Sequence, residues 1–242
     1  MYASTTLLRL SLAVLCVFVI SACNRDNEAG RDAAGERSAA AERTAEFAYV
    51  RFIDAHTGNA ALHFGDEQIF SGTGNKITEY RRVPAERRQF ALRRQGGTEG
   101  DALATNSEGL DAGKRYTIVA FNDGDGGASL RVLNDDEDAP EEGKAKVRLI
   151  HASPEMEGLK LYAAGRRDEI ASQSRFTTGS NWQEVDSVKG ALELRGSDRK
   201  LGTVRIPNVT LEPGKLYTFV VRRGEGAQPR PQVTPIVDSP RQ

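Results

Sequence analysis

Along most of the chain apolar residues alternate with polar ones over short runs, and clusters of Gly, Asp, Asn and Pro separate the runs. Phe90 and Leu92 sit among Gln89, Ala91 and Arg93, and the spacing returns at Val204 and Ile206 and at Tyr217, Phe219 and Val221. Successive side chains of a strand point to opposite faces, so this period of two predicts half-buried β-strands. No window of helical period long enough for a packed helix survives the Gly and Pro punctuation.

The strand pattern occurs twice. Val50, Arg51, Phe52, Ile53, Asp54 and Ala55 match Val147, Arg148, Leu149, Ile150, His151 and Ala152 at a constant offset, as do Leu62 and Phe64 with Leu159 and Leu161. With small shifts Tyr80 and Val83 pair with Trp182 and Val185, and Phe90 and Leu92 with Leu192 and Leu194. Each copy ends in an apolar pair, Val132 and Leu133 before Asn134, then Ile236 and Val237 before Asp238. The reading is all-β: two tandem immunoglobulin-like antiparallel β-sandwich domains, 47–136 and 145–238. The acidic linker 137–144, with Pro140, predicts freedom between them. Leu110–Tyr116 and Leu211–Tyr217 both read L-x-x-G-K-x-Y, which predicts that Tyr116 and Tyr217 bond their hydroxyls to backbone a few residues upstream.

The first residues break the pattern. Arg9 leads into an apolar stretch, Leu10–Ile20, followed by small residues, the order of a secretory signal over 1–22. The stretch falls short of the roughly 20 apolar residues that a spanning helix needs. Ile20, Ser21, Ala22 and Cys23 resemble the lipobox of bacterial prolipoproteins. That resemblance implies acylation of Cys23, cleavage just before it and retention at the membrane, since two or more acyl chains hold a protein there. Asn24, where Asp would retain a lipoprotein at the inner membrane, implies the outer membrane. With Cys16 inside the signal and Cys23 lipidated, no disulfide is left for the mature chain. Residues 23–46 carry few large apolar side chains and read as a disordered tether, about 22 residues spanning roughly 25 Å.

Lys and Arg number 33 against 34 Asp and Glu, with signs interleaved, so no basic footprint for nucleic acid exists.

Val147–Pro154 reads V-R-L-I-H-A-S-P and resembles the opening of the domain-of-unknown-function 4397 family of exported prokaryotic proteins. Leu211–Val220, L-E-P-G-K-L-Y-T-F-V, resembles that family's later strand. The resemblance covers 145–238 well and 48–136 as a more diverged copy, with Asp54, His56 and Thr57 replacing the motif's His, Ser and Pro. It implies tandem envelope or surface domains and carries no activity.

Candidate chemistry is sparse. His151, Ser153 and Glu155 form a nominal hydrolytic set, yet residues so close along an extended chain do not converge as a triad does, and a turn preset by Pro154 is expected. His56, His63 and His151 are too few for a structural zinc site. Asp123 and Asp125 resemble half of a calcium loop, but Gly127 takes the third ligand position, and a hairpin connection is expected. Asp135, Asp136, Glu137 and Asp138 are a loose cation candidate. Arg81, Arg82, Arg87, Arg88, Arg93 and Arg94 concentrate guanidinium on one or two neighbouring strands, a candidate anion-binding row for phosphate, lipid or glycan carboxylates. Trp182 is expected in the second core.

These observations describe a non-enzymatic cell-envelope lipoprotein without cofactor or metal, a structural, adhesive or ligand-binding module. Its partners are the membrane, through the Cys23 lipid, and an envelope protein or glycan. Alternatives are an anionic glycan or lipid binder working through the arginine rows, and a hydrolase using His151 and Ser153.

Overall fold

The computed structural model describes residues 47–72, 77–97, 100–123, 127–173, 175–197, 202–224 and 230–241. The signal, Cys16, Cys23, the tether and Asp125 lie outside them.

Seventeen strands and no helix make up the described residues. The first eight are β1 (Phe47–Ala55), β2 (Ala60–Phe64), β3 (Glu67–Phe70), β4 (Arg81–Pro84), β5 (Arg87–Arg94), β6 (Ala102–Gly109), β7 (Arg115–Asn122) and β8 (Ala128–Asn134). They form two four-stranded sheets, ordered β4-β1-β7-β8 and β3-β2-β5-β6. Phe52, Leu62, Phe64, Phe90, Leu92 and Ile118 fill the space between these sheets.

The remaining strands repeat this plan. They are β9 (Lys144–Ala152), β10 (Leu159–Ala163), β11 (Glu169–Gln173), β12 (Thr178–Gly179), β13 (Gln183–Asp186), β14 (Val188–Gly196), β15 (Thr203–Leu211), β16 (Leu216–Arg222) and β17 (Gln232–Asp238). One sheet runs β12-β9-β16-β17, with β13 also on β9, and the other β11-β10-β14-β15. Leu149, Leu161, Leu192, Leu194, Leu211 and Phe219 pack between them. The single bridge Ile53 to Ile77 in the first copy stands where β12 pairs with β9 in the second.

All-antiparallel pairing does not hold. β1 runs parallel to β7, and β9 parallel to β16. Parallel neighbours require a long crossover. Here each crossover passes through the partner sheet: in the first copy the chain leaves β1, builds β2 and β3 opposite, returns beside β1 as β4, builds β5 and β6 opposite, and comes back as β7.

Both predicted tyrosine corners are present. The Asp111 amide donates to Tyr116 Oη at 3.0 Å, and the Glu212 amide to Tyr217 Oη at 2.8 Å. Each bond ties the turn before β7 or β16 to the start of that strand.

A third apolar cluster lies between the two sandwiches: Ile53, Ala55, Val119 and Phe121 from one, Ile150, Ala152 and Val220 from the other. Even-numbered Val50 and Phe52 of β1 face their own core, while Ile53 and Ala55 face this junction. Strands covered on both faces lose their polar alternation, hence the continuous burial through Leu216–Arg222.

The acidic connection is strapped to both sandwiches. Asp136 lies 3.9 Å from Arg115 and 3.2 Å from Arg241, Glu137 pairs with Lys146 at 2.6 Å, and Asp138 pairs with Arg241. The expected freedom is therefore replaced by a packed junction, and the cation reading of these acids by ion pairs to Arg and Lys.

Candidate functional site

The densest polar cluster is buried at the junction, centred on two arginines at matching positions of β1 and β9. Arg51 sends Nε to Thr117 Oγ1 at 2.7 Å and its two Nη atoms to the carboxylate of Asp238 at 3.0 and 2.8 Å. Arg148 sends Nε to Thr218 Oγ1 at 2.9 Å and Nη2 to Asp135. Each arginine lies under an aromatic ring: Arg51 is 4.8 Å from the centre of Tyr80, and Arg148 4.4 Å from that of Trp182. Trp182 is thus half-buried at the junction instead of in the second core, because Arg148 presents a planar cation to its face.

Asp135 is 2 % exposed. Its carboxylate accepts from Tyr80 Oη at 2.7 Å and from Thr117 Oγ1, and Arg51 Nη2 approaches to 3.5 Å. Burial alone would raise its pKa, but Arg148 and Arg51 hold it below the usual carboxylate range. Tyr80 is pushed up, by burial first and then by the Asp135 charge. Among the described residues this network ties the two halves together.

The six candidate arginines do not form one row. β4 and β5 belong to opposite sheets, so Arg81 and Arg82 are separated from the others. Arg87 and Arg88 begin β5 and Arg93 and Arg94 end it, roughly 20 Å away at strand rise. Local partners engage five of them: Arg81 donates to Ile69 O at 2.7 Å and approaches Glu67 at 3.3 Å, and Arg88 meets Glu86 at 2.8 Å. Arg82 lies over Phe47, Arg87 reaches Ser107 O at 3.5 Å, and Arg93 is buried near His63.

The structure also separates His151 from Ser153. Ser153 Oγ donates to Glu155 at 2.8 Å, and Glu155 is held by Arg223 at 2.6 Å. The His151 ring meets Phe176 edge-on at 5.6 Å, and burial lowers its pKa to about 4, with the Met156 backbone opposing. Both His151 and Ser153 are 0 % exposed, so neither is open to a substrate. In the first copy the matching groups shape a turn: Asp54 accepts the His56 amide at 3.1 Å and His56 Nδ1 accepts the Gly58 amide at 3.0 Å. No group of three His, Cys, Asp or Glu able to hold a metal occurs among the described residues. Asp123 closes the β7–β8 hairpin through its amide to Gly127 O at 2.8 Å.

Residues 48–162 match the family model described as Domain of unknown function (DUF4397). The chain carries a DUF4397 domain. The match takes in the first sandwich from Ala48 onward, expected to be the more diverged copy, and ends within β10 of the second. No curated protein matches the chain. Among solved structures, the tip fimbrial protein Mfa3 of Porphyromonas gingivalis is 9% identical, with a TM-score of 0.27 over 80% of this chain and 99% of that one. A proposed cell adhesion protein of Bacteroides ovatus is 11% identical, with a TM-score of 0.24 over 81% and 98%. Scores this low carry no argument about the DUF4397 chain.

Proposed function

We propose that this protein is a non-enzymatic module of the bacterial cell envelope, held by a lipid on Cys23 and serving a structural or adhesive role with two sandwiches that move as one body. The observation that carries the reading is the reciprocal pairing of Arg51 with Asp238 and Arg148 with Asp135 over a shared apolar cluster. A protein that transmits a tether to a surface or a neighbour needs such a fixed geometry, whereas a substrate needs an open reactive group. The buried His151 and Ser153 do not provide one.

The test is intact mass and membrane fractionation of natively expressed protein beside a Cys23→Ala variant. A lipid mass on a chain beginning at Cys23, with the variant released or unprocessed, supports the reading. An unlipidated, freely released wild-type protein overturns the anchor. Turnover of an ester or glycoside panel that disappears in His151→Ala overturns the non-enzymatic part.

A further inference from the structure

At one open edge of the second sandwich, edge strand β11 of one sheet and strands β12 and β13 of the other leave a cleft of about 640 Å³. Gln173, Asn181, Gln183, Ser197, Lys160 and Arg175 are among the side chains lining it, and its lining holds no carboxylate. A second cleft of about 470 Å³, bounded by Trp182, Asn134 and Glu137, meets the first along Gly179–Asn181. Volumes of several hundred Å³ suit a small ligand.

The shared wall is fixed before any ligand arrives. Ser180 donates its amide to Leu149 O at 2.8 Å and accepts the Leu149 amide on Oγ at 2.9 Å. Thr177, beside it, has φ of 62°, a left-handed conformation that a β-branched residue rarely adopts, and its amide is held by His151 O at 2.9 Å. Strain of this kind gathers at ligand sites.

We propose that this cleft binds an acidic oligosaccharide. Amide and hydroxyl side chains both donate and accept, as sugar hydroxyls do, and Asn181 and Gln183 supply them, while Gln173 keeps its side-chain NH2 to donate because its Oε1 holds the Arg175 amide at 3.0 Å, and Ser197 keeps its oxygen to accept because its hydroxyl donates to Glu157 O. Lys160 is engaged by Glu169 at 3.1 Å. Arg175 has no carboxylate partner among the described residues and can take a sugar carboxylate in a two-point contact. A peptide adding as a strand would need a long unbroken edge, whereas the β12–β13 edge is interrupted between Gly179 and Gln183 and the β11 edge is only the five residues Glu169–Gln173. The proposal stands on the cleft and is independent of the Cys23 anchor.

Isothermal titration of the full chain with tetragalacturonate and with maltotetraose tests it, with circular dichroism confirming that each variant is folded. Tetragalacturonate binds roughly tenfold more tightly than maltotetraose, and Arg175→Ala removes that preference. Asn181→Ala with Gln183→Ala weakens both ligands. Failure of both tetramers to bind at millimolar concentration overturns the proposal, as does equal affinity for the two. Binding that survives the cleft variants but is lost in Arg87→Ala with Arg88→Ala overturns it in favour of the arginine corner of the first sandwich.

Discussion

Arg51 and Asp238 are 187 residues apart in the chain and meet in a two-point ion pair at 3.0 and 2.8 Å. The matching arginine, Arg148, reaches in the opposite direction, from the second sandwich to Asp135 at the end of the first. Each half supplies the cation for the other's carboxylate, the self-complementary arrangement of a two-fold interface, here formed within one chain.

Removing one partner strands a buried charge. Asp135→Ala is therefore expected to cost about 3–5 kcal/mol, read as a lower urea midpoint. Asp111→Ala, which breaks the exposed pair with Lys114 at 2.6 Å, leaves the midpoint nearly unchanged. Equal midpoints for the two variants would refute the special status of Asp135.

The junction also decides whether the halves behave as one body. Small-angle scattering of the wild type should give a fixed, compact maximum dimension. Arg51→Ala with Arg148→Ala lengthens that dimension and splits the single urea transition into two. A wild type as extended as the double variant contradicts a packed junction.

Acidification weakens the fold through His151. Its unfolded imidazole takes a proton near pH 6.5, whereas the folded one resists until about 4. The unfolded state binds more protons across that window, so stability falls as pH drops from 6.5 to 4, by on the order of 3 kcal/mol. Asp135 adds a loss of the same sign lower down, because its depressed carboxyl stabilises the fold above the ordinary carboxylate range and loses that contribution as it protonates. Urea titrations at pH 7 and pH 4.5 should differ clearly in the wild type and much less in His151→Leu.

Tyr116→Phe and Tyr217→Phe each remove one hydroxyl from a turn amide. The expected cost is about 1–2 kcal/mol apiece. The sites share no partner, so the double variant should show the sum.

Gly179 is small because the first sandwich leans on it. A Cβ there would lie 3.1 Å from Leu133 Cδ1. Gly179→Val should cost about 1–3 kcal/mol, and Leu133→Ala should relieve part of that in a double-mutant cycle. Strict additivity would place the strain elsewhere.

Much of the fold is legible in the chain because alternation survives wherever one face of a strand meets water. Phe90 and Leu92 mark β5, and L-x-x-G-K-x-Y marks both tyrosine corners. The junction is harder to read. Ile118–Phe121 and Phe219–Val221 are continuous apolar runs, which signal burial on both faces. An arginine at the same place in both copies, inside such a run, was the available sign of Arg51 and Arg148. Asp135 is hidden for a different reason. Matching the copies by their terminal apolar pairs sets Asn134 against Asp238, whereas the sheet places Asp135 beside Arg115 as it places Asp238 opposite Leu216. The guanidinium density of β4 and β5 is plain in the sequence, but its division between two sheets depends on the crossover at Ala85 and Glu86.

The short connection from Asn134 to Lys144 has a consequence for self-association. Linking two surfaces by so short a segment presents each to the other at an effective concentration in roughly the millimolar range. Affinity too weak to join separate molecules is then enough to keep this contact closed at any dilution. The face that a duplicated half would offer to its twin is already occupied from within, which leaves, among the described residues, the outer sheets and exposed edges to meet other molecules.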